Sequence, residues 1–251
     1  MSRDEIFSRR GMAPELDPAK IRFRESVDSQ ANPQSTPIIL AVDETGSMGV
    51  LAEVIIKQGL GVIMKEIYDR KPVTDPHICC MGVGDATCDH APLQVTQFEA
   101  AVDPLVRQVA DIYIEGNGGG NGGESYPLAW WFAAYKCKCD AFTKRKRKGY
   151  LFTIGDECPL KTSRKEEVKR FLGVGCERDI PIRQLLKVVQ AYWNVFHLIV
   201  EPVEYQPVIP MWKELLGERA IVVDDHDRLA EGIVSVMQVI EGQDAQDVAG
   251  S

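Results

Sequence analysis

A doubly wound α/β fold, with a mostly parallel central sheet and helices on both of its faces, is predicted for this chain from two observations. Short apolar runs rich in β-branched residues alternate with longer segments whose apolar residues recur at helical spacing. In addition, 251 residues, 45% of them hydrophobic, are enough to bury one sizeable core. Strands that alternate with helices pair in parallel, so a single α/β domain is expected.

The predicted strand segments are short and apolar, and most of them are separated by a helical segment. Residues 93–98 follow residues 77–83 after only a short polar link, so these two are expected to pair antiparallel and to supply one antiparallel edge strand. The predicted strands are residues 37–42, 77–83, 93–98, 150–154, 195–200 and 220–223.

The predicted helices have apolar residues at helical spacing and end near residues that break helices. Pro72 prevents the first helix from continuing, and Gly242 provides the stop after the last one. The predicted helices are residues 49–68, 99–113, 125–141, 182–191, 210–216 and 229–240.

The two ends of the chain differ in character from the predicted domain at residues 37–241. Residues 1–36 have balanced charge, three prolines and little periodicity. They are expected to form an N-terminal arm that is extended, partly disordered, or draped on the domain or a partner. Residues 242–251 are expected to be a polar C-terminal tail.

Composition and charge argue against several classes of protein. A net charge of −8 argues against a general nucleic-acid binder. No apolar run approaches the roughly 18 residues needed to cross a bilayer, and the first twelve residues are too charged for a secretory signal. Seven cysteines, an odd number, suit a reducing compartment, so a cytoplasmic location is expected. The basic run at residues 144–148 is interpreted as a solvated connection, with a docking patch for an acidic partner as the alternative.

An oxygen-rich loop follows the first predicted strand of the domain. The apolar run ends in Asp43-Glu44-Thr45-Gly46-Ser47, just before the first helical segment. Gly46 permits a tight turn that brings Asp43, Thr45 and Ser47 around one point, and hard oxygen ligands of this kind suit Mg²⁺. The alternative interpretation is a turn with a helix N-cap, because Thr45 and Ser47 are both good capping residues.

This loop resembles the metal-ion-dependent adhesion site of the von Willebrand factor A (vWA) family, which begins with Asp-x-Ser/Thr-x-Ser at the same strand-to-helix junction. The form in this chain, Asp-x-Thr-Gly-Ser-Met, looks like a common variant of that motif. The resemblance covers residues 37–240. It implies a site for Mg²⁺, with Mn²⁺ or Ca²⁺ as alternatives, at the carboxyl ends of the strands.

Two later segments match the remaining parts of the vWA metal site. Where vWA domains place Gly-Gly-Thr before a helix, or in one subset Gly-Gly-Asp/Glu followed by proline, this chain has Gly-Gly-Glu124-Ser125 and then a proline. The resemblance implies Glu124 as the metal ligand there, or Ser125 if the alignment shifts by one residue. It also implies that Asp156, after the strand at residues 150–154, is the last metal-site aspartate. The simpler interpretations are a helix cap for Glu124 and Ser125 and a turn residue for Asp156.

Three carboxylates at one edge of a sheet are unfavourable without a cation. Asp43, Glu124 and Asp156 at a spacing of ~5 Å would repel by roughly 3 kcal/mol per pair at an effective dielectric constant near 20, and a divalent cation removes that repulsion. Three carboxylates also more than neutralise a dication. The metal is therefore expected to be mainly structural, or to bind a ligand that is not a bare carboxylate.

The function that the resemblance implies is metal-dependent binding of a protein partner, because vWA domains usually bind proteins through the metal face and are seldom enzymes. The chain is similar to bacterial vWA proteins that act as adaptors or subunits of multi-protein systems, some with a MoxR-type AAA+ ATPase, and a homo-oligomer is compatible with this role. Two alternatives stay open. One is a structural subunit that uses the N-terminal arm, and the other is a Mg²⁺-dependent hydrolase or phosphotransferase.

Overall fold

A six-stranded sheet runs through the centre of the domain in the computed structural model, which describes residues 11–46, 48, 52, 54–114, 123–200 and 207–242. Two further pairs of short strands lie outside this sheet. The strands of the described residues are β1 (Arg24–Ser26), β2 (Thr36–Asp43), β3 (Pro76–Val83), β4 (Leu93–Val95), β5 (Cys137–Cys139), β6 (Gly149–Gly155), β7 (Thr162–Ser163), β8 (Ile180–Pro181), β9 (Trp193–Val200) and β10 (Ala220–Val223).

Helices connect most of these strands. A π-helical turn at Ile55–Gly59 leads directly into the first α-helix. A second π-helical turn, Val168–Leu172, follows the short α-helix at Lys165–Glu167. None of the helices in the described residues is long and apolar enough to span a membrane. The α-helices are α1 (Leu60–Arg70), α2 (Val102–Val109), α3 (Tyr126–Tyr135), α4 (Asp140–Arg145), α5 (Lys165–Glu167), α6 (Ile182–Val189), α7 (Val208–Leu216) and α8 (Leu229–Ile240).

The strand order of the central sheet is β10-β9-β6-β2-β3-β4, and every pair is parallel except β3 with β4. Side chains of the central strand β2 alternate between two hydrophobic cores. Ile38, Leu40 and Val42 pack with α1, α2 and α8, whereas Ile39 and Ala41 pack with α3, α6 and α7. The predicted doubly wound fold with one antiparallel edge strand is therefore confirmed.

The prediction of one helix over residues 125–141 is wrong at its C-terminal end. Helix α3 stops at Tyr135, and the three residues of β5 then pair in parallel with β1 before α4 begins. Helical spacing could not reveal the break, because the hydrogen-bond partners of β5 come from a segment far earlier in the chain. The predicted helix over residues 99–113 is also shorter and covers only Val102–Val109.

Helix α3 is apolar around its whole circumference and is buried on every side. Residues 126–133 are all buried. One side packs on the sheet, and the segment that follows β6 covers the outside, where Trp131 Nε1 donates a hydrogen bond to Ser163 Oγ at 2.8 Å. A helix without a polar face needs such a cover. The β7–β8 pair and the π-helical turn at Val168–Leu172, where the sequence predicted no element, provide part of it.

Residues 11–36 lie against the domain of the same chain and cover the outer edge of β4. The backbone N–H of Val95 donates to the carbonyl of Leu16 at 2.9 Å. The buried Arg24 side chain donates through Nη2 to the carbonyls of Glu15, at 2.6 Å, and Val95, at 2.7 Å. The otherwise open edge of β4 is thus paired within the chain.

Part of the basic run at residues 144–148 binds this N-terminal segment. Arg145 Nη1 lies 2.7 Å and Lys144 Nζ 3.4 Å from Asp28 Oδ2. The hydrogen bond from Arg145 is the main reason that the pKa of Asp28 lies well below its ordinary value. Arg147 pairs with Glu241 at the end of α8. Three of the five basic residues therefore have carboxylate partners within the chain.

Replacing Lys136 with methionine is expected to lower the free energy of unfolding by about 2 kcal/mol. Lys136 Nζ donates to the carbonyls of Pro18 and Leu172, both at 2.6 Å, and so ties residues 11–36 to the segment after β6. Methionine keeps the apolar stem but removes the donor from two carbonyls. Urea denaturation measures the change, and Lys148→Met at an exposed position is the control. Equal stability of the two variants would contradict the role of Lys136.

Candidate metal site

The carboxyl ends of three adjacent strands bring carboxylates to one edge of the sheet. β2 ends at Asp43, β6 is followed by Asp156, and β3 is followed by Gly84 and Asp85. Because β2 pairs in parallel with both β6 and β3, the three strand ends lie side by side. The exposed fractions are 0% for Asp43 and Asp85 and 4% for Asp156.

Both carboxylate oxygens of Asp43 accept hydrogen bonds. Oδ1 accepts from Thr45 N at 2.9 Å and from Thr45 Oγ1 at 2.6 Å, and Oδ2 accepts from Tyr126 Oη at 2.7 Å. The Thr45 hydroxyl gives its hydrogen to Asp43, and a hydroxyl oxygen can in addition act as an acceptor toward a cation. The sequence predicts a turn at residues 43–45, and the oxygen atoms of Asp43 and Thr45 in this turn are of the kind that bind a metal ion.

Gly155 at the end of β6 permits the close approach of Asp43 and Tyr126. A Cβ atom built at Gly155 would lie 2.8 Å from both Cβ and Oδ2 of Asp43, and it would overlap the Tyr126 hydroxyl. Real Cβ atoms do not tolerate such contacts, so any larger residue would separate these groups. The hydrogen bond between Tyr126 and Asp43 thus depends on a glycine in the neighbouring strand.

Glu124 and Ser125 precede α3 and contact the loops after β6 and β3. Glu124 N donates to the carbonyl of Cys158 at 3.4 Å, and Ser125 N donates to the carbonyl of Gly84 at 3.2 Å. The Ser125 hydroxyl accepts from Ala86 N at 2.9 Å. In contrast, Oε2 of the buried Glu124 has no hydrogen-bond partner among the described residues. The Ser125 hydroxyl therefore already has a hydrogen-bond partner, whereas one carboxylate oxygen of Glu124 has none.

Burial and mutual repulsion raise the pKa values of the carboxyl groups at this edge. Burial is the main reason that the pKa of Asp43 is raised, and the charge of Asp156 adds to it, while hydrogen bonds from Thr45 and Tyr126 act in the opposite direction. For Glu124, burial again raises the pKa most, followed by the charges of Asp43 and Asp85. The ionised form of both carboxyl groups is therefore unfavourable without a balancing cation.

Tyr126 and Asp85 belong to this edge of the sheet but were missed by the sequence analysis. Asp85 lies two residues after the end of the buried strand β3, close to the position that Asp43 and Asp156 have at the ends of their strands. It forms the same kind of turn as Asp43, since Thr87 N and Oγ1 donate to its Oδ1 at 2.9 and 2.8 Å. Tyr126 gave only a weak signal, one hydroxyl at the start of an otherwise apolar helix.

Two buried rings hold the Tyr126 side chain in place. Its ring meets the His197 ring at 5.1 Å and the Trp212 ring at 5.5 Å in edge-to-face contacts, and His197 stacks on Trp212 at 3.6 Å. Nδ1 of His197 lies 2.8 Å from Thr153 Oγ1. Burial lowers the pKa of His197 well below its ordinary value, so the imidazole is neutral. The Tyr126 hydroxyl is therefore directed at Asp43 by a rigid, uncharged support.

The donor atoms fit a hard divalent cation, provided that hydroxyl oxygens take part. Within the described part of the chain, no three Asp, Glu, His or Cys side chains are close enough together to hold one ion. An ion beside Asp43 would therefore combine carboxylates with hydroxyls such as that of Thr45. Ser47, the other hydroxyl ligand predicted in this loop, lies outside the described residues.

Comparison with known proteins rests on structure, because no family model and no curated protein matches the sequence. The chain is similar to the pilus adhesin SpaC from Lactobacillus rhamnosus GG, with a TM-score of 0.57 and 12% identity over 88% of this chain. It is also similar to the vWF domain of the type V pili tip protein Mfa5 from Porphyromonas gingivalis, with a TM-score of 0.52 and 7% identity over 82% of this chain and 94% of that one.

A third similar structure is proximal thread matrix protein 1 from the mussel byssus, with a TM-score of 0.51 and 12% identity over 82% of this chain. The matches span 31% of the SpaC chain and 46% of the mussel protein chain, so this chain corresponds to less than half of either. Together with the strand order and the position of Asp43, these likenesses show that the chain has a von Willebrand factor A fold.

Proposed function

We propose that this chain is a metal-dependent protein-binding module that holds Mg²⁺ beside Asp43. Asp43, Glu124 and the hydroxyls of Thr45 and Ser47 would supply the ligand oxygens, and Asp156 would act through its charge, since no three acidic side chains of the described residues are close enough together to hold one ion. The observation that carries the proposal is the buried Glu124 carboxyl, whose Oε2 has no hydrogen-bond partner among the described residues although it faces other carboxylates. Such a group is costly to bury unless a cation or a proton balances its charge.

Of the two candidate ligands before α3, Glu124 is the better one. The Ser125 hydroxyl already accepts a hydrogen bond from Ala86 N, and this contact connects the start of α3 to the loop after β3. Ser125 therefore positions the loop, while the free oxygen of Glu124 is available to a cation. Hard oxygen atoms of this kind are the ligands that Mg²⁺ prefers.

The charge at this edge determines which partner the metal face would favour. Asp43, Glu124 and Asp156 carry more negative charge, when ionised, than one dication neutralises. A bare carboxylate from a partner would be repelled by that excess, so a partner that presents a neutral oxygen or a basic segment is favoured. Such a module would serve as an adaptor or subunit of a multi-protein system, and a MoxR-type AAA+ ATPase is the first partner to test.

Calorimetric titration of Mg²⁺ and Mn²⁺ into the purified chain tests the proposed site. Asp43→Asn is expected to weaken binding at least about tenfold, or about 1.4 kcal/mol, because an amide keeps the shape of the carboxylate but not its charge. Asp103→Asn, at an exposed position in α2, is the matched control and should bind like the wild type. Absence of saturable binding to the wild-type chain would refute the proposal.

A further inference from the structure

The hydrogen bonds on the Asp43 side chain leave its two carboxylate oxygens in different states. Oδ1 accepts two of them, from Thr45 N at 2.9 Å and from Thr45 Oγ1 at 2.6 Å, whereas Oδ2 accepts one, from Tyr126 Oη at 2.7 Å. An ionised carboxylate has about four acceptor sites, two on each oxygen. Donors of the described residues therefore use both sites of Oδ1 and leave one site on Oδ2.

A cation beside Asp43 would accordingly interact with Oδ2, the same oxygen that receives the hydrogen bond from Tyr126. A carboxylate that offers only one of its oxygens cannot bind an ion with both. Bidentate carboxylates are one way in which Ca²⁺ reaches its roughly six to eight oxygen ligands, whereas Mg²⁺ is content with single oxygens. The hydrogen bonds on Asp43 thus favour the smaller ion.

The direction of Oδ2 is fixed, because the Tyr126 side chain that holds it has no room to move. Tyr126 has an exposed fraction of 0%, and the rings of His197 and Trp212 meet its ring edge to face at 5.1 and 5.5 Å. Gly155 lies so close to its hydroxyl that a Cβ atom at that position would overlap it. Packing on all these sides therefore holds the hydrogen-bond donor, and with it Oδ2, in one position.

Loss of the Tyr126 hydroxyl would affect two divalent ions unequally. The Asp43 carboxylate would then be held through Oδ1 alone, and its Oδ2 atom could change direction. Mg²⁺ demands near-ideal octahedral geometry with short ligand distances, while Ca²⁺ accepts irregular geometry and a range of distances. A loosely held Oδ2 is therefore a poorer ligand for Mg²⁺ than a fixed one, and Ca²⁺ is less sensitive to the difference.

We propose that Tyr126 makes this site selective for Mg²⁺ over Ca²⁺ by positioning Oδ2 of Asp43 for a small octahedral ion. The inference rests on the proposed function, because it requires a cation beside Asp43. Tyr126 acts through Asp43 and is a positioning residue. Removing such a hydrogen-bond partner of a metal ligand typically changes metal affinity by about 10- to 100-fold.

Calorimetric titration of Mg²⁺ and of Ca²⁺ into the wild-type chain and into Tyr126→Phe tests this role. The wild-type chain is expected to bind Mg²⁺ more tightly than Ca²⁺. Tyr126→Phe is expected to weaken Mg²⁺ binding by about tenfold or more and Ca²⁺ binding by no more than about threefold. A general loss of structure would weaken both ions alike, so the ratio of the two dissociation constants separates positioning from folding.

Tyr150→Phe is the matched control. It also removes a phenol hydroxyl that donates to a carboxylate, Glu241 Oε1 at 2.8 Å, but it lies near the start of β6, at the opposite end of this strand from the proposed metal site. This variant should bind both ions like the wild type. Thermal melting without added metal checks that both variants are folded.

The outcomes separate this inference from the function on which it rests. A wild-type chain that binds neither ion would overturn both. A wild-type chain that binds Mg²⁺, together with an unchanged ratio of dissociation constants in Tyr126→Phe, would overturn the role of Tyr126 alone. So would a wild-type chain that binds Ca²⁺ at least as tightly as Mg²⁺, a result that does not depend on whether Tyr126→Phe folds.

Discussion

Gly155→Ala is expected to lower the free energy of unfolding by about 3–5 kcal/mol, which combines overpacking with loss of a buried hydrogen bond to a carboxylate. The added methyl group would overlap the Tyr126 hydroxyl and lie 2.8 Å from Cβ and Oδ2 of Asp43. Asp43 cannot move away easily because it belongs to the central strand β2. The hydrogen bond between Tyr126 and Asp43 should therefore break.

Urea denaturation measures this loss, and two further variants identify its cause. Gly61→Ala in α1 is the control, because a Cβ there meets no atom within 4 Å; it should leave stability unchanged or raise it slightly. The double variant Gly155→Ala/Tyr126→Phe removes the hydroxyl that the new methyl group overlaps. It should be more stable than the sum of the single changes predicts. A loss below about 1 kcal/mol for Gly155→Ala would contradict the packing derived for this edge.

Glu124→Gln is expected to stabilise the metal-free chain at pH 7 by about 1–3 kcal/mol. The sign follows from the pKa of Glu124, which burial and neighbouring carboxylates raise above its ordinary value of 4.5. Below pH 4.5 this carboxyl is protonated in both the folded and the unfolded chain, so its ionisation does not affect the free energy of unfolding. As the pH rises, the unfolded chain releases the proton more readily, and the wild type loses stability. Glutamine avoids that loss.

Unfolding of both proteins between pH 4 and pH 8 in the presence of a chelator tests this expectation. The advantage of Glu124→Gln should be absent near pH 4 and grow toward pH 7. Glu25→Gln, at an exposed position in β1, is the control and should show no such trend. A Glu124→Gln chain that is less stable than the wild type at pH 7 would show that the carboxylate is balanced within the chain itself.

Saturating Mg²⁺ is expected to reverse the order of stability of the same two proteins. Binding to the folded state alone stabilises a protein by about 2.7 kcal/mol at a hundredfold excess over the dissociation constant, and the loss of one ligand oxygen reduces that gain. Ser125→Ala should keep its affinity for Mg²⁺, because its hydroxyl is engaged with Ala86 N. If Glu124→Gln and the wild type bind Mg²⁺ with equal affinity, Glu124 is not a ligand of the metal.

The strand ends show how much of the candidate site local sequence can predict. A buried parallel strand must be apolar, so a carboxylate that directly follows such a strand marks the edge where ligands bind in this architecture. This rule located Asp43, and the resemblance to the vWA family added Asp156, which also follows a buried strand. Asp85 lies one glycine beyond the end of another buried strand, where the same rule would have suggested it. Local sequence also predicted the helices α1 and α8. Each of them buries only one side, and this produces an apolar stripe at helical spacing.

Elements whose partners are distant in the chain were not predictable in this way. β5 is a strand because β1 pairs with it, although its three residues continue a helical pattern. The residues that cover α3 have no periodicity of their own, and their conformation depends on the apolar surface that they bury. Short segments of this kind have weak intrinsic preferences, so tertiary contacts decide their structure.

By itself, the sequence determined the doubly wound architecture, the turn from Asp43 to Thr45 and the acidic character of one sheet edge, because hydrophobic periodicity and turn chemistry act over a few residues. Only the tertiary structure decided that Tyr126 donates to Asp43, that Ser125 is engaged while Glu124 Oε2 is not, and that residues 11–36 cover β4 but not β10. These outcomes depend on distances between side chains far apart in the chain, such as the approach that Gly155 permits.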